Sequence, residues 1–388
     1  MKKHIVSALA LIAAGMAVSA SAGNAAPAPT RDYLNDKFDV ERILDWGDRP
    51  VWSPDSKRIA FTVSDAKLSA AYEIDVATRK VRCLTCRWGA NGMVARVYYL
   101  ADGSFLIAGP PSLESAEATV GADADPKRHP ASTTYMYWMP ADLSLPPQPL
   151  GAAPLGEIAI DYDHSAPGET RIAWGESQPK YRMVMGSIVN DGKRAYLTNR
   201  TLLHSDPGVD PKSPVTMIET YDFIDDGKSV LFFTIEKGRA YNGMYKLDTA
   251  TGKMTSLQTD DQHNETHSFP DLRYGLEESN RASDPSGPYR GLSGHRPSLL
   301  AWSLKAAGVA DAEAMGERYG GKTFDLYILD WKTGKRRRLT NVSDLGGEAH
   351  QSSPARDGTH IAFSMTPPPS GPFAGKGGLY IGKFSNTK

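Results

Sequence analysis

Two cysteines, Cys83 and Cys86 in the run CLTC, are all that the 388 residues contain. In an extended strand, residues three apart lie about 10 Å from each other, beyond the roughly 7 Å that a disulfide can bridge. A bond between them therefore requires a turn at that point. A redox C-x-x-C motif opens a helix beside a βαβ unit, and the flanking sequence has no such form. Charge of one sign is missing as well: 44 Lys and Arg stand against 45 Asp and Glu, for a formal net charge of −1. With no basic stripe, nucleic acid is excluded as a partner, and KRRRL (335–339) is too short to alter that. Beyond the first residues, no apolar run approaches the roughly 18–20 residues that would span a bilayer.

The one apolar run is at the start. MKKHIVSALALIAAGMAVSASAGNAA has a basic opening, an apolar stretch from Ile5 to Val18 and an A-x-A site at Ala20–Ala22. This reads as a secretory signal peptide over residues 1–22, followed by an exported, periplasmic chain. With 36 Gly, 27 Pro and seven Trp, that chain has the composition of many short strands joined by turns.

Those strands repeat. VWSPDSKRIAFTVS (51–64) precedes AYEIDVATRKVRCLT (71–85), and DLYILDWKTGKRRRLT (325–340) precedes QSSPARDGTHIAFSM (351–365). An apolar strand follows a D-G or D-S turn; a strand of form Y-x-x-D then leads through T-x-K to one closing in L-T. Asp bonds its own backbone at such turns, which gives Asp75, Asp248 and Asp330 a structural reading. Weaker copies place unit openings near Val51, Val97, Glu157, Thr216, Glu265 and Gln351, with insertions at 110–132, 199–215, 280–297 and 366–377. A four-stranded unit cannot bury both faces alone, whereas a radial array can. The expected fold is all-β, a six-bladed β-propeller over 51–388, with residues 23–50 packing across the closure. Seven blades result if 298–321 forms a unit of its own. Trp52, Trp174, Tyr135, Tyr137 and Trp138 read as core.

DDQHNETHSFPDL (260–272) offers two histidines four apart around a glutamate. The zincin motif is H-E-x-x-H on a helix, whereas here Glu265 stands two after His263 and the segment approaches a strand. In a strand, His263 and His267 are roughly 13 Å apart and cannot share an ion held at about 2 Å. Alignment on the turns gives a different grouping. Asp48, Glu219 and His350 each precede the turn residues Asp55, Asp226 and Asp357 by seven, and Glu265 precedes Asp271 with one deletion. Equivalent positions in a propeller gather around one mouth of the channel. The expected ligand site is therefore Asp48, Glu219, Glu265, His267, His350 and Gln351, with Glu265, His267 and His350 as candidate ligands of a divalent metal ion. The alternative is that these groups only solvate a water-filled channel. His360 and His295 read as incidental.

The S-P-D-x-x-x-I-A-F and Y-x-x-D-x-x-T-x-K-x-x-x-L-T pattern resembles the propeller repeats of TolB. It is also similar to the propellers of prolyl oligopeptidases and of oligogalacturonate lyase. The peptidase resemblance implies a hydrolase domain with G-x-S-x-G, which GLSGH (291–295) does not match, so that activity is not expected. TolB adds an N-terminal α/β domain for which the segment ahead of Val51 is too short. AHQSSPARDG (349–358) is similar in placement to the metal-binding run of oligogalacturonate lyase, with one histidine where that family has two. The resemblance implies a monomeric, non-catalytic propeller binding a protein partner or small ligand, or alternatively a metal-dependent lyase acting on acidic oligosaccharides.

Overall fold

The computed structural model describes residues 31–63, 70–88, 94–109, 135–152, 154–166, 168–176, 182–205, 215–236, 243–257, 264–270, 272–283 and 323–386. The signal-peptide reading, His263, Asp271, His295 and the segment 298–321 lie outside them. Strand β1 (Lys37–Leu44) comes first. The first unit is β2 (Asp48–Trp52), β3 (Arg58–Thr62), β4 (Tyr72–Asp75) and β5 (Val81–Cys83). The second is β6 (Arg96–Tyr99), β7 (Phe105–Gly109), β8 (Tyr135–Met139) and β9 (Gln148–Pro149). The third is β10 (Leu155–Asp161), β11 (Glu169–Glu176), β12 (Arg182–Asn190) and β13 (Ala195–Ser205). The fourth is β14 (Val215–Ile224), β15 (Ser229–Glu236), β16 (Gly243–Asp248) and β17 (Met254–Ser256). The fifth is β18 (Asn264–Ser268), β19 (Tyr274–Ser279), β20 (Asp325–Asp330) and β21 (Arg336–Arg338). The last has β22 (Glu348–Pro354), β23 (His360–Thr366) and β24 (Gly378–Ser385), with β1 as its fourth strand.

Every unit is an antiparallel meander, and the third and fourth are joined by one parallel pair between their first strands, Ile160 to Asp222. The hairpin turns follow from the sequence. Asp75, Asp248 and Asp330 each accept a hydrogen bond from the backbone N–H three residues on, at 2.7, 2.8 and 3.0 Å. The next residue is left-handed in all three: Arg79 (φ 61°), Gly252 (φ 69°) and Gly334 (φ 68°). Glycine meets that requirement without a Cβ penalty, which explains T-G-K in two of the three turns. The stretch 199–215, read as an insertion, is in part strand, because β13 runs to Ser205.

Among the described residues, six apolar clusters lie between neighbouring units. Tyr99 and Phe105 meet Ala60 and Leu84; Trp138 and Leu106 meet Ile172 and Trp174; Ala173 and Met183 meet Phe232 and Tyr245. Leu257 and Tyr221 meet Trp331; Leu276 and Ile328 meet Phe363 and Tyr380; Trp52 and Phe61 meet Ala362 and Ile381. Because the last cluster joins the first unit to the last, the array is a closed β-propeller. Strand β1 pairs with β24 from Lys37–Ser385 to Leu44–Leu379, so both ends of the described chain complete one sheet. Trp52, Trp174, Tyr137 and Trp138 are core, as read; Tyr135 is 41% exposed, because it begins its strand at the rim.

Strand β5 ends at Cys83, and a 3-10 turn follows at Cys86–Trp88. This supplies the turn that a bridge requires, and the two cysteines form a disulfide with Cα atoms 5.7 Å apart.

Candidate functional site

The first strand of each unit lines the channel, and each carries one of the polar residues Asp48, Arg96, Glu157, Glu219, Glu265 and His350. Four were expected from the turn alignment, and they lie on these strands. Arg96 and Glu157 were missed, although Arg96 precedes Asp102 by six just as Glu265 precedes Asp271. The strands enclose a cavity to which all six contribute, including Arg49, Arg96, Glu157, Asp222, Glu265 and Gln351.

Irregular backbone aims these groups. The pairing of β2 with β3 slips between Asp48 and Val51, that of β10 with β11 between Leu155 and Ile158, and that of β22 with β23 between His350 and Ser353. Each bulge holds a left-handed residue: Arg49 (φ 57°), Gly156 (φ 74°) and Gln351 (φ 53°). Bulges re-aim side chains, and left-handed conformations of non-glycine residues are costly ones that persist where the surroundings enforce them. The Arg49 and Gln351 side chains are bonded to each other, Nη1 donating to Oε1 at 3.2 Å. Gly156 makes room for Glu219.

Carboxyls and basic groups share the interior: Glu157, Asp222, Glu265 and Glu278 line the cavity with Arg49, Arg96, Arg356 and His267. Glu157 accepts from Arg96 and from the Tyr98 hydroxyl, and Arg49 Nη1 lies 3.8 Å from it. Glu219 is 7% exposed and accepts from Tyr221 at 3.2 Å; burial first, then the charges of Glu265 and Glu157, hold its carboxyl protonated well above the usual range. Glu265 stands directly across from Glu278 of β19. Like charges placed so are unfavourable. Glu278 is pushed up to about 7 by burial and by Glu265, against the opposing pull of the Ser352 N–H and of His350. The Ser352 hydroxyl also donates to Glu278, at 3.0 Å.

The histidines stay cationic more readily than free imidazole. Burial opposes charge on His267, but Asp222, 3.1 Å from Nδ1, outweighs it and raises the pKa. Tyr221 stands edge-on at 5.0 Å. His350 is also raised: burial opposes its charge, and Glu348, Asp48, Glu278 and Glu265 together prevail. Thr366 Oγ1 is 3.4 Å from its Nε2. A shared metal does not fit this arrangement. Among the described residues no three His, Cys, Asp or Glu side chains converge as ligands, and His267 is turned to Asp222. Asp222 contacts His267, Glu278 faces Glu265 and Arg49 bonds Gln351, and the turn alignment reaches none of these three partners.

A ring of antiparallel sheets around a polar central cavity defines the class of protein, a β-propeller. Within that class the chain is similar to a putative TolB from Agrobacterium tumefaciens, at 13% identity over 75% of this chain and 76% of that one, with a TM-score of 0.45. It is similar to TolB from Acinetobacter baumannii at 13% identity, over 86% of this chain but only 64% of that one, with a TM-score of 0.47. It is also similar to an oligogalacturonate lyase in complex with manganese, at 12% identity, covering 87% and 78% of the two chains, with a TM-score of 0.44. The sequence matches no family profile and no curated protein. No helix among the described residues is long and apolar enough to cross a membrane.

Proposed function

We propose that this chain is an exported, monomeric, non-catalytic propeller of six blades, and that it binds a partner protein or small ligand at the mouth of its channel. The occupant presents a cationic group. The observation that carries this reading is the convergence of Glu157, Glu265 and Glu278 on one cavity, with Glu219 buried beside it, where burial and the neighbouring carboxyls hold Glu219 and Glu278 protonated above their usual range. A cation entering there restores their ionisation and gains charge-assisted hydrogen bonds. Tyr98, Tyr162 and Tyr221 line the same space and add ring faces suited to a cation. An acidic oligosaccharide would meet repulsion from the same groups.

The test is calorimetric titration with tetralysine as the probe, at low salt. Binding to the wild-type protein and roughly ten- to hundred-fold weaker binding to Glu265→Gln is the expected result, since a hydrogen bond to a charged group is worth about 1.5–3 kcal/mol. The melting temperature should be little changed, because Glu265 is only half-buried. Equal affinity in the two proteins would remove the channel mouth as the site.

A further inference from the structure

We propose that Cys83–Cys86 is a thiol–disulfide exchange site whose reductant is a dithiol, a role separate from the channel. The bridge lies at the end of β5, the outermost strand of its unit, and joins residues three apart. It ties no two strands or units together, and so short a loop removes little chain entropy from the unfolded state. The adjacent apolar clusters hold that unit without it.

The two sulfurs are unequal. Cys86 is exposed and Cys83 is half-buried. The backbone N–H of Cys86 donates to Cys83 Sγ at 3.0 Å, a contact that stabilises negative charge on that sulfur. Arg87 adds positive potential beside Cys86, with its guanidinium over the Trp88 ring at 4.9 Å. The turn between them is fixed independently of the bond. Leu84 and Thr85 are buried, the Leu84 N–H donates to Ala71 O at 2.8 Å, and Thr85 Oγ1 accepts from the Ala71 N–H at 3.1 Å. The thiols therefore remain neighbours after reduction and are placed to close again.

The chemistry follows from this inequality. A thiolate of the reductant attacks the accessible Cys86 Sγ; the new S–S bond forms as the Cys83–Cys86 bond breaks, and Cys83 leaves as the stabilised thiolate. The second thiol of the reductant, as its thiolate, then attacks its own partner sulfur in the mixed disulfide. Cys86 departs as a thiolate, and the reductant ends as a disulfide. Two electrons pass to the protein, and the two cysteine thiolates take up two protons from solvent. The reverse sequence oxidises the pair at the expense of another disulfide.

Dithiothreitol serves as the probe, with thiols counted by a maleimide mass tag. The folded protein should be reduced at a rate within about tenfold of the same protein in denaturant, while its melting transition persists. Reduction that proceeds only as the chain unfolds would overturn the proposal. Mapping the mixed disulfide tests the assignment of the attacked sulfur. Glutathione should add to Cys86 of the wild-type bridge at least about tenfold faster than to Cys83, as located by mass after acid trapping. Equal or reversed rates would overturn it. The variant with both cysteines changed to serine should fold and melt as the wild type does; failure to fold would make the bond structural and sink the idea.

Discussion

At φ +74°, Gly156 occupies a bulge where an added β-carbon would lie 2.2 Å from Cγ of Glu219. Both the backbone conformation and the space require glycine. Gly156→Ala should therefore destabilise the protein by about 2–4 kcal/mol, read from denaturant unfolding, by adding strain at positive φ to overpacking of a buried side chain. A loss below 0.5 kcal/mol, an amount ordinary for a surface site, would show that Glu219 can move aside freely. Glu278 makes the complementary case in charge. Its pKa is near 7 when folded against 4.5 as a free side chain. A carboxyl raised in this way favours the folded state below 4.5, and that contribution is lost as pH rises through 7. His267 and His350, raised above 6.5, act with the same sign at somewhat higher pH. Stability should thus fall between pH 4.5 and 7, and Glu278→Gln, which mimics the protonated form, should remove roughly 1–3 kcal/mol of that fall. An unchanged pH profile in the variant would contradict the assignment.

At the level of elements, the closure depends on a residue outside the repeat. Tyr33 is 2% exposed and packs on Phe269, Tyr274 and Phe384, while its hydroxyl donates to Gly358 O at 2.7 Å. It pins the chain ahead of β1 across the fifth and sixth units. Tyr33→Ala should cost about 3–5 kcal/mol, the range for a buried aromatic, whereas Tyr33→Phe should cost about 1 kcal/mol for the lost hydrogen bond. Similar losses in both variants would mean that the hydroxyl, not the ring, is what matters. The repeat itself was legible because Asp75, Asp248 and Asp330 recur with Thr three residues on, and the same bond from that threonine's backbone N–H appears at all three. The first strands could be placed from Val51, Val97 and Gln351 for the same reason. The bulges could not. Arg49 and Gln351 are left-handed without being glycine or asparagine, so nothing in their residue type marks the slip in register. Glu278 was equally hidden, since it lies on a second strand and reaches the site by pairing across from Glu265.

For the whole molecule, the formal charge is nearly balanced, and several arginines serve carboxyl partners within the sheets. Arg336 on Glu277, Arg338 on Asp325 and Arg82 on Glu73 are examples. Alignment on turns found four of the six ring positions because equivalent strands converge on one axis. It could not show that Glu219 and Glu278 are held protonated, which depends on burial and on carboxyls brought together across strands and units. Binding of a cation beside these carboxyls is therefore coupled to proton release. The decisive measurement is the number of protons released when tetralysine saturates the protein at pH 6, obtained from calorimetry in two buffers of different ionisation enthalpy. Glu219 and Glu278 should give up protons as the cation arrives, for a net release of about one or more per site. Binding with no release, or with proton uptake, would contradict a carboxyl-lined cation site at the channel mouth.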